Sequence, residues 1–136
     1  MSTKKIVLIC GATGFIGRNI AESFAKNDNY EVIGVHNKRP TYNCSNLKWV
    51  KADLTKVEDI RRVVKGVDII IQAAATTSGS KDIVARPYIH VTDNAVMNSL
   101  LFREAFEHKV KHVIFFSCTV MLQSVEKPQD EESYDA

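Results

Sequence analysis

The sequence has no long apolar run, no excess of charge of one sign and only scattered cysteines, and each absence removes a class of protein. After Lys4 and Lys5 the apolar stretch is only Ile6–Cys10 before Gly11, too short for a signal-peptide core or a transmembrane helix. The formal net charge is +2, with basic residues spread along the chain. That balance argues against nucleic acid or an acidic membrane surface as partner. The cysteines, Cys10, Cys44 and Cys118, are odd in number and contain no Cys-x-x-Cys. They exclude a zinc or disulfide framework and suit a reducing compartment, so the expected location is the cytoplasm. No internal repeat or low-complexity tract interrupts the chain. What remains is ordinary: 136 residues, 45% hydrophobic and 25% charged, enough for one globular domain with a real core.

The hydrophobic period alternates along the chain. Lys5–Cys10 is a β-branched apolar run ending at glycine, which reads as a strand buried on both faces. Phe15 to Lys26 switches to helical spacing, with Ile16, Ile20, Phe24 and Ala25 on one face, and Asn27-Asp28-Asn29 closes it. Glu31–Val35 and Leu47–Val50 read as strands on either side of a polar loop containing Pro40. Val57–Lys65 is a short helix with Val57, Ile60, Val63 and Val64 inward, stopped by Gly66. Asp68–Gln72 is a fourth strand, followed by Ala73-Ala74-Ala75 and a Ser/Thr/Gly-rich loop to about Ser80. Tyr88–Glu107 is a long helix with Val91, Ala95, Leu100 or Leu101, and Ala105 inward, and Val113–Phe116 is a fifth strand.

Buried strands alternating with helices predict an α/β, Rossmann-type doubly wound parallel sheet of about five strands in the order 3-2-1-4-5, with helices on both faces. Residues 1–127 form the expected dinucleotide-binding domain and 128–136 a polar tail. Ligands of such sheets sit beyond the carboxyl ends of the strands. Five features fall there: Gly11–Gly17, His36–Arg39, Asp53-Leu54, Ala73–Thr77 and Ser117–Thr119.

Gly11-Ala12-Thr13-Gly14-Phe15-Ile16-Gly17 follows a buried strand and opens an amphipathic helix. The first glycine permits the tight turn, the second lets backbone approach a phosphate, and the third lets helix and sheet pack closely. Backbone N–H groups at the helix start then face a pyrophosphate. Where an acidic residue at the end of the second strand would signal NAD, this chain has His36, Asn37, Lys38 and Arg39. Two cations suit the dianionic 2′-phosphate of NADP, so NADP is preferred over NAD. The alternative is that Lys38 and Arg39 are solvated loop charges. Asp53 could accept from an adenine amino group with Leu54 near the ring, or serve as a turn or cap aspartate, Thr55 being an equal cap candidate. Ala73, Ala74 and Ala75 leave room for backbone beside a cofactor, or are simply small turn residues. His108 and His112 have a metal-chelating interval, but one ends a helix and the other opens a strand, so no metal site is expected. A hydroxyl in Ser117-Cys118-Thr119 could polarise a carbonyl, or merely end a strand.

Taken together, the Gly11–Gly17 loop, Ala52-Asp53-Leu54, Asp68-(apolar)3-Gln72-Ala-Ala-Ala75 and Val113-Ile-Phe-Phe-Ser117, in that order, resemble the extended short-chain dehydrogenase/reductase family. The specific likeness is to its NAD-dependent epimerase/dehydratase branch, which acts on nucleotide sugars. The resemblance implies that Gly11, Thr13, Gly14, Phe15, Ile16 and Gly17 line the pyrophosphate. It also implies that Asp53 and Leu54 contact adenine, that Ala73 to Ala75 run beside the ribose and nicotinamide, and that Asn94 anchors this region. Two departures stand out. The family usually has histidine at Gln72, and its Ser-Ser-Ser/Thr stretch is Ser117-Cys118-Thr119 here. Ungapped counting places Cys118 at the hydroxyl position; Thr119 is the preferred catalytic hydroxyl and Ser117 the second. The usual following tyrosine is Leu122.

The family's Tyr-x-x-x-Lys pair is absent from the sequence, whose last tyrosine is Tyr134. The resemblance therefore implies an N-terminal part of a longer enzyme, inactive by itself. The whole protein is expected to move a hydride between nicotinamide and a sugar carbon, with a possible homodimer. The alternatives are a catalytically silent NAD(P)-sensing module, favoured by Gln72, Cys118 and Leu122, or a family reductase acting on a non-sugar carbonyl.

Overall fold

The computed structural model describes residues 4–77 and 79–117, together with 127, 130 and 132. Five strands, β1 (Lys5–Cys10), β2 (Tyr30–His36), β3 (Leu47–Lys51), β4 (Ile69–Gln72) and β5 (His112–Phe115), form one sheet in the order β3-β2-β1-β4-β5. Every neighbouring pair is parallel. This is the expected doubly wound order. The helices are α1 (Phe15–Phe24), α2 (Val57–Val64), α3 (Ser80–Ala85) and α4 (Tyr88–Glu107).

Because side chains alternate across a strand, β1 feeds two cores. Val7 and Ile9 pack with Ala12, Ala21, Val32, Leu47 and Ile71 on the α1 face. Leu8 and Cys10 pack with Ile60, Val64, Ile70, Met97 and Leu101 on the face covered by α2 and α4. Cys10 is fully buried, and burial pushes its thiol up to about 12, so it stays protonated and behaves as a small apolar side chain. Among the described residues, no helix is long and apolar enough to cross a membrane.

The structure corrects several boundaries and faces. In α1 the buried residues are Gly17 and Ala21, with Ala25 just beyond the helix also buried, whereas Ile16 is 48% exposed. Small residues on the contact line bring the helix close to the sheet and turn Ile16 outward. In α4 the buried stripe is Met97, Leu101, Glu104 and Ala105. Val91 and Ala95, expected inward, are exposed, because only the C-terminal half of the helix covers the core. Helix α3 was not expected: the sequence pattern ends its loop at about Ser80 and assigns no element before Tyr88.

Within the α4 stripe, Glu104 is a buried charge. Its carboxylate accepts from Arg61 Nε of α2 at 3.0 Å and from Arg103 Nη2 at 3.1 Å. Burial alone would raise its pKa, but the hydrogen bonds from the two guanidiniums outweigh that and hold it below the usual carboxylate range. The Glu104–Arg61 bond therefore ties α4 to α2 most strongly while the carboxylate is ionised. A depressed folded-state pKa gives stability that is present above the unfolded pKa and lost as pH falls through the folded value. Thermal melts of the wild type and Glu104→Gln should differ by several degrees at pH 7. The gap should close as pH falls below about 4; a gap that stays constant down to pH 3 would contradict this account.

Candidate functional site

The parallel strands place their carboxyl ends along one edge of the sheet, and the candidate residues of the first four strands gather there. Gly11 follows β1, His36 ends β2, Asp53 follows β3 and Ala73 follows β4. Ser117 lies just past β5 and is exposed; Cys118, Thr119 and Leu122 fall outside the described residues.

The turn after β1 is built around the Gly11 carbonyl. Gly11 has a φ of +75°, open to glycine but strained for other residues. A Cβ added there would lie 2.7 Å from Cα and N of Ala74, so β4's exit closes over the turn. The Gly11 carbonyl accepts from Gly14 N at 2.9 Å. A Cβ on Gly17 would collide with that same carbonyl, which is why the third glycine permits the close approach. Ala12 is buried beneath β2, its amide donating to Val35 O at 3.2 Å. Gly34 makes room for it: a Cβ there would meet Ala12 at 3.0 Å and the Trp49 ring at 2.9 Å.

Above this turn α1 begins without protection. The first intrahelical donor is Arg18, whose amide reaches Gly14 O at 2.9 Å, so the amides of Phe15, Ile16 and Gly17 have no intrahelical acceptor. No side chain caps Gly14, and no acidic residue lies in the first turn. The helix start, with its partial positive charge, lies at the carboxyl-end edge of the sheet. Phe15 stands 86% exposed beside them.

At the end of β2, His36 makes an edge contact with Trp49, ring centroids 6.0 Å apart. Asn37, Lys38 and Arg39 follow in an exposed bend, and neither cation forms an ion pair with a described residue. Asp53 is half-buried. Its Oδ1 accepts from the Thr55 hydroxyl at 2.7 Å and the Thr55 amide at 3.1 Å, which hold it below the usual carboxylate range. Its own amide donates to Asp59 Oδ2 at 2.8 Å. Asp53 is thus a turn aspartate, while its Oδ2 takes no hydrogen bond from a described residue. Leu54 is buried in the α2/α4 core. Thr55 is not the cap; Lys56 occupies that position of α2 without a side-chain cap.

Beyond β4, Ala73 N donates to Cys10 O at 3.1 Å, extending the β1–β4 ladder by one bond. Asn94 of α4 then grips the Thr76 backbone from both sides: Thr76 N donates to its Oδ1 at 2.9 Å and its Nδ2 donates to Thr76 O at 3.0 Å. Sequence reasoning missed one partner here, Asn98. Gln72 is 1% exposed, its Nε2 donating to Asn98 Oδ1 at 2.8 Å and its Oε1 accepting from Ala74 N at 3.3 Å. The available signal was an amide at the end of an apolar strand and a second asparagine one helical turn after Asn94. His108 caps the end of α4 and His112 opens β5. Among the described residues there is no group of three or more potential metal ligands.

A model of the NAD dependent epimerase/dehydratase family matches residues 7–136. The chain is similar to an NmrA-like family domain-containing protein of Dictyostelium discoideum, 32% identical over a 72-residue alignment that covers 48% of this chain and 24% of that protein. Among solved structures, epimerase Mth375 of Methanothermobacter thermautotrophicus superposes with a TM-score of 0.82 at 24% identity, over 96% of this chain and 40% of that one. UDP-N-acetylglucosamine 4-epimerase of Methanobrevibacter ruminantium M1, solved with UDP-N-acetylmuramic acid, gives 0.76 at 24% identity, over 96% and 43%. At that identity the two structures speak to the fold, and the chain spans about two fifths of their length.

The glycine positions make a graded prediction. Gly11→Ala adds a Cβ into the Ala74 backbone at a positive φ and should cost about 3 kcal/mol or more. Gly66→Ala has a φ of +79° but open space around it and should cost about 1 kcal/mol. Gly79→Ala meets nothing within 4 Å and should fall within about 0.5 kcal/mol of wild type. Denaturant unfolding of the three variants measures this; equal losses at Gly11 and Gly66 would remove the Ala74 contact from the explanation.

Proposed function

This chain belongs to the NAD dependent epimerase/dehydratase family, and from that premise we propose that its sheet edge holds a nicotinamide dinucleotide, NADP(H) in preference to NAD(H). The observation that carries the reading is the uncapped start of α1 above a turn whose glycines let it pack tightly against the exit of β4, with no side chain in the way. That cradle fits a diphosphate, which the free amides of Phe15, Ile16 and Gly17 would bind through hydrogen bonds and the helix dipole. Thr13, Gly14 and Gly11 complete the turn around it. Lys38 and Arg39, with no ion pair to a described residue and no carboxylate beside them in the sequence at the end of β2, would hold a 2′-phosphate. His36 and Asn37 flank them. Asp53, ionised and with Oδ2 uncommitted, would accept from the adenine amino group, with Leu54 packed behind it. Ala73, Ala74 and Ala75, kept in place through Asn94, would run beside the ribose and nicotinamide.

When bound, the nicotinamide supplies or accepts a hydride. For the whole protein we propose an epimerase, dehydratase or reductase acting on a nucleotide sugar. The family membership and the likeness to UDP-N-acetylglucosamine 4-epimerase support this. In that scheme the hydroxyl of Thr119, with Ser117 as second choice, hydrogen-bonds the substrate oxygen that gains or loses a proton. We place the protein in the cytoplasm, where Cys10 and Cys44, both free thiols, would stay reduced.

Titration of the protein with NADPH and NADH tests the binding half of the proposal. NADPH should bind more tightly than NADH. Arg39→Glu and Lys38→Glu should each weaken NADPH by roughly 10–100-fold, the value of a charge-assisted hydrogen bond, and change NADH by less than about threefold. Binding of neither dinucleotide would sink the reading. Equal losses for both would leave nicotinamide binding standing and remove the NADP preference.

A further inference from the structure

Resting on the dinucleotide reading above, we propose that Gln72 and Asn98 are positioning residues that set the height of the cofactor turn. Together with Asn94 they bolt the segment after β4 onto α4. The contacts run from α4 through the side chains of Asn98, Gln72 and Asn94 to the backbone of residues 73–76, and from there through backbone to the phosphate cradle. Asn94 and Asn98 are one helical turn apart on α4 and therefore on the same face. Asn98 Oδ1 accepts from Gln72 Nε2 at 2.8 Å, and Gln72 Oε1 accepts from Ala74 N at 3.3 Å. Asn94 takes both polar atoms of the Thr76 backbone. Residues 73–76 thus form a short strap fixed at Ala74 and at Thr76.

The strap matters because Gly11 rests on it. A Cβ added at Gly11 would stand 2.7 Å from Ala74 Cα and N and 2.8 Å from Ala73 C, distances that leave no slack between turn and strap. The Gly11 carbonyl in turn receives the Gly14 amide at 2.9 Å and backs directly onto Gly17. Displacing Ala74 therefore displaces the atom against which the glycines are packed, and with it the three free amides of α1. Close-packed backbone transmits such a shift rather than absorbing it.

The amide at position 72 serves this purpose for a chemical reason. A buried polar group must be satisfied, and here it needs a donor toward α4 and an acceptor toward its own strap at once. Glutamine supplies both from one planar group. An apolar residue of the same size would preserve the packing and release the half-buried Ala74, whose amide would then lose its side-chain partner.

The test compares dinucleotide affinity with stability in four variants. Gln72→Leu and Asn98→Leu remove the link, Asn98→Asp keeps an acceptor for Gln72 Nε2, and the double leucine variant asks whether the two act as one unit. Dissociation constants for NADPH and NADH are read by titration well below each variant's unfolding temperature. Exchange of the Ala74 and Thr76 amides is read by NMR without ligand. Each leucine variant should weaken dinucleotide binding roughly tenfold, and the double variant should be no weaker than either single. Asn98→Asp should bind within about threefold of wild type, and the Ala74 amide should exchange faster in both leucine variants. Unchanged affinity with a lowered unfolding temperature would make the pair a structural contact only and overturn the proposal, as would fully additive losses. If the wild type binds neither dinucleotide, the functional reading fails first. The amide exchange still judges the anchorage alone, and unchanged Ala74 exchange in Asn98→Leu overturns it.

Discussion

Gly11 lies against the backbone of Ala74 at a φ no other residue adopts without strain, and the functional edge is organised outward from that contact. On one side the contact fixes the Gly11 carbonyl, around which Gly14 and Gly17 pack and from which α1 departs. On the other it fixes the exit of β4, so two strand ends that need only be adjacent are made to touch. The site is consequently a property of backbone geometry more than of side chains. Its donors are peptide groups, placed by two parallel strands in register from Val7 with Ile69 to Cys10 with Gln72. A parallel ladder continued by the bond from Ala73 N to Cys10 O leaves little freedom in how the two exits meet.

Helix α4 divides its work along its length. Its C-terminal half supplies Met97, Leu101 and Ala105 to the core and the buried Glu104 to the bond with α2. Its N-terminal half is largely exposed and contributes Asn94, at the same helix level as residues that cover nothing. Asn98 sits at the join, one residue past Met97. The apolar half gives the helix a fixed position, and the asparagines convert that position into a position for the strap. Amide side chains suit this because they donate and accept in one plane, as the two-sided grip on Thr76 shows.

Most of the architecture was legible because each element announced itself by a single period. Lys5–Cys10 and Tyr88–Glu107 have the bounds that the pattern gives, since an apolar run stopped by glycine and a long helical repeat leave few alternatives. The misreadings arose where contacts override pattern. Ile16 matches the helical stripe, yet Gly17 and Ala21 form the contact line, because close approach rewards small residues that a hydrophobicity count undervalues. Val91 and Ala95 continue the α4 stripe by period but pass beyond what the sheet can cover. Helix α3 hides in Ser80–Ala85, short and flanked by Gly79 and Pro87, whose turn chemistry dominates a local reading. The glycine loop was readable because backbone requirements are written directly in glycine. The Gln72–Asn98 bond was not read, because its two signals, an amide closing an apolar strand and an asparagine one helical turn after Asn94, lie 26 residues apart and no local period links them.

The two edges of the sheet differ in how completely their charges are answered, and this bears on why a dianionic ligand belongs at one of them. At the amino ends of the strands, Asp68 takes Lys111 Nζ at 2.7 Å and the Ile6 amide at 2.9 Å, and Glu31 takes Lys48 Nζ at 2.7 Å. Those pairs stitch strands together and leave little field. At the carboxyl ends the acidic side chains are engaged by local donors: Asp53 by Thr55, and Asp59 by the Asp53 amide and Arg62. Among the described residues Lys38 and Arg39 have no such partners, and the first amides of α1 have no side-chain cap. Carboxylates placed to quench the positive character of this edge are instead turned into the loops they belong to. A net charge of only +2 therefore conceals a local imbalance. Attraction of an anion depends on that local field and on the low-dielectric wall behind it, more than on the sum over the chain. Folding tolerates the uncapped amides of Phe15 and Ile16 because both residues are exposed to water and carry no burial penalty before a phosphate arrives.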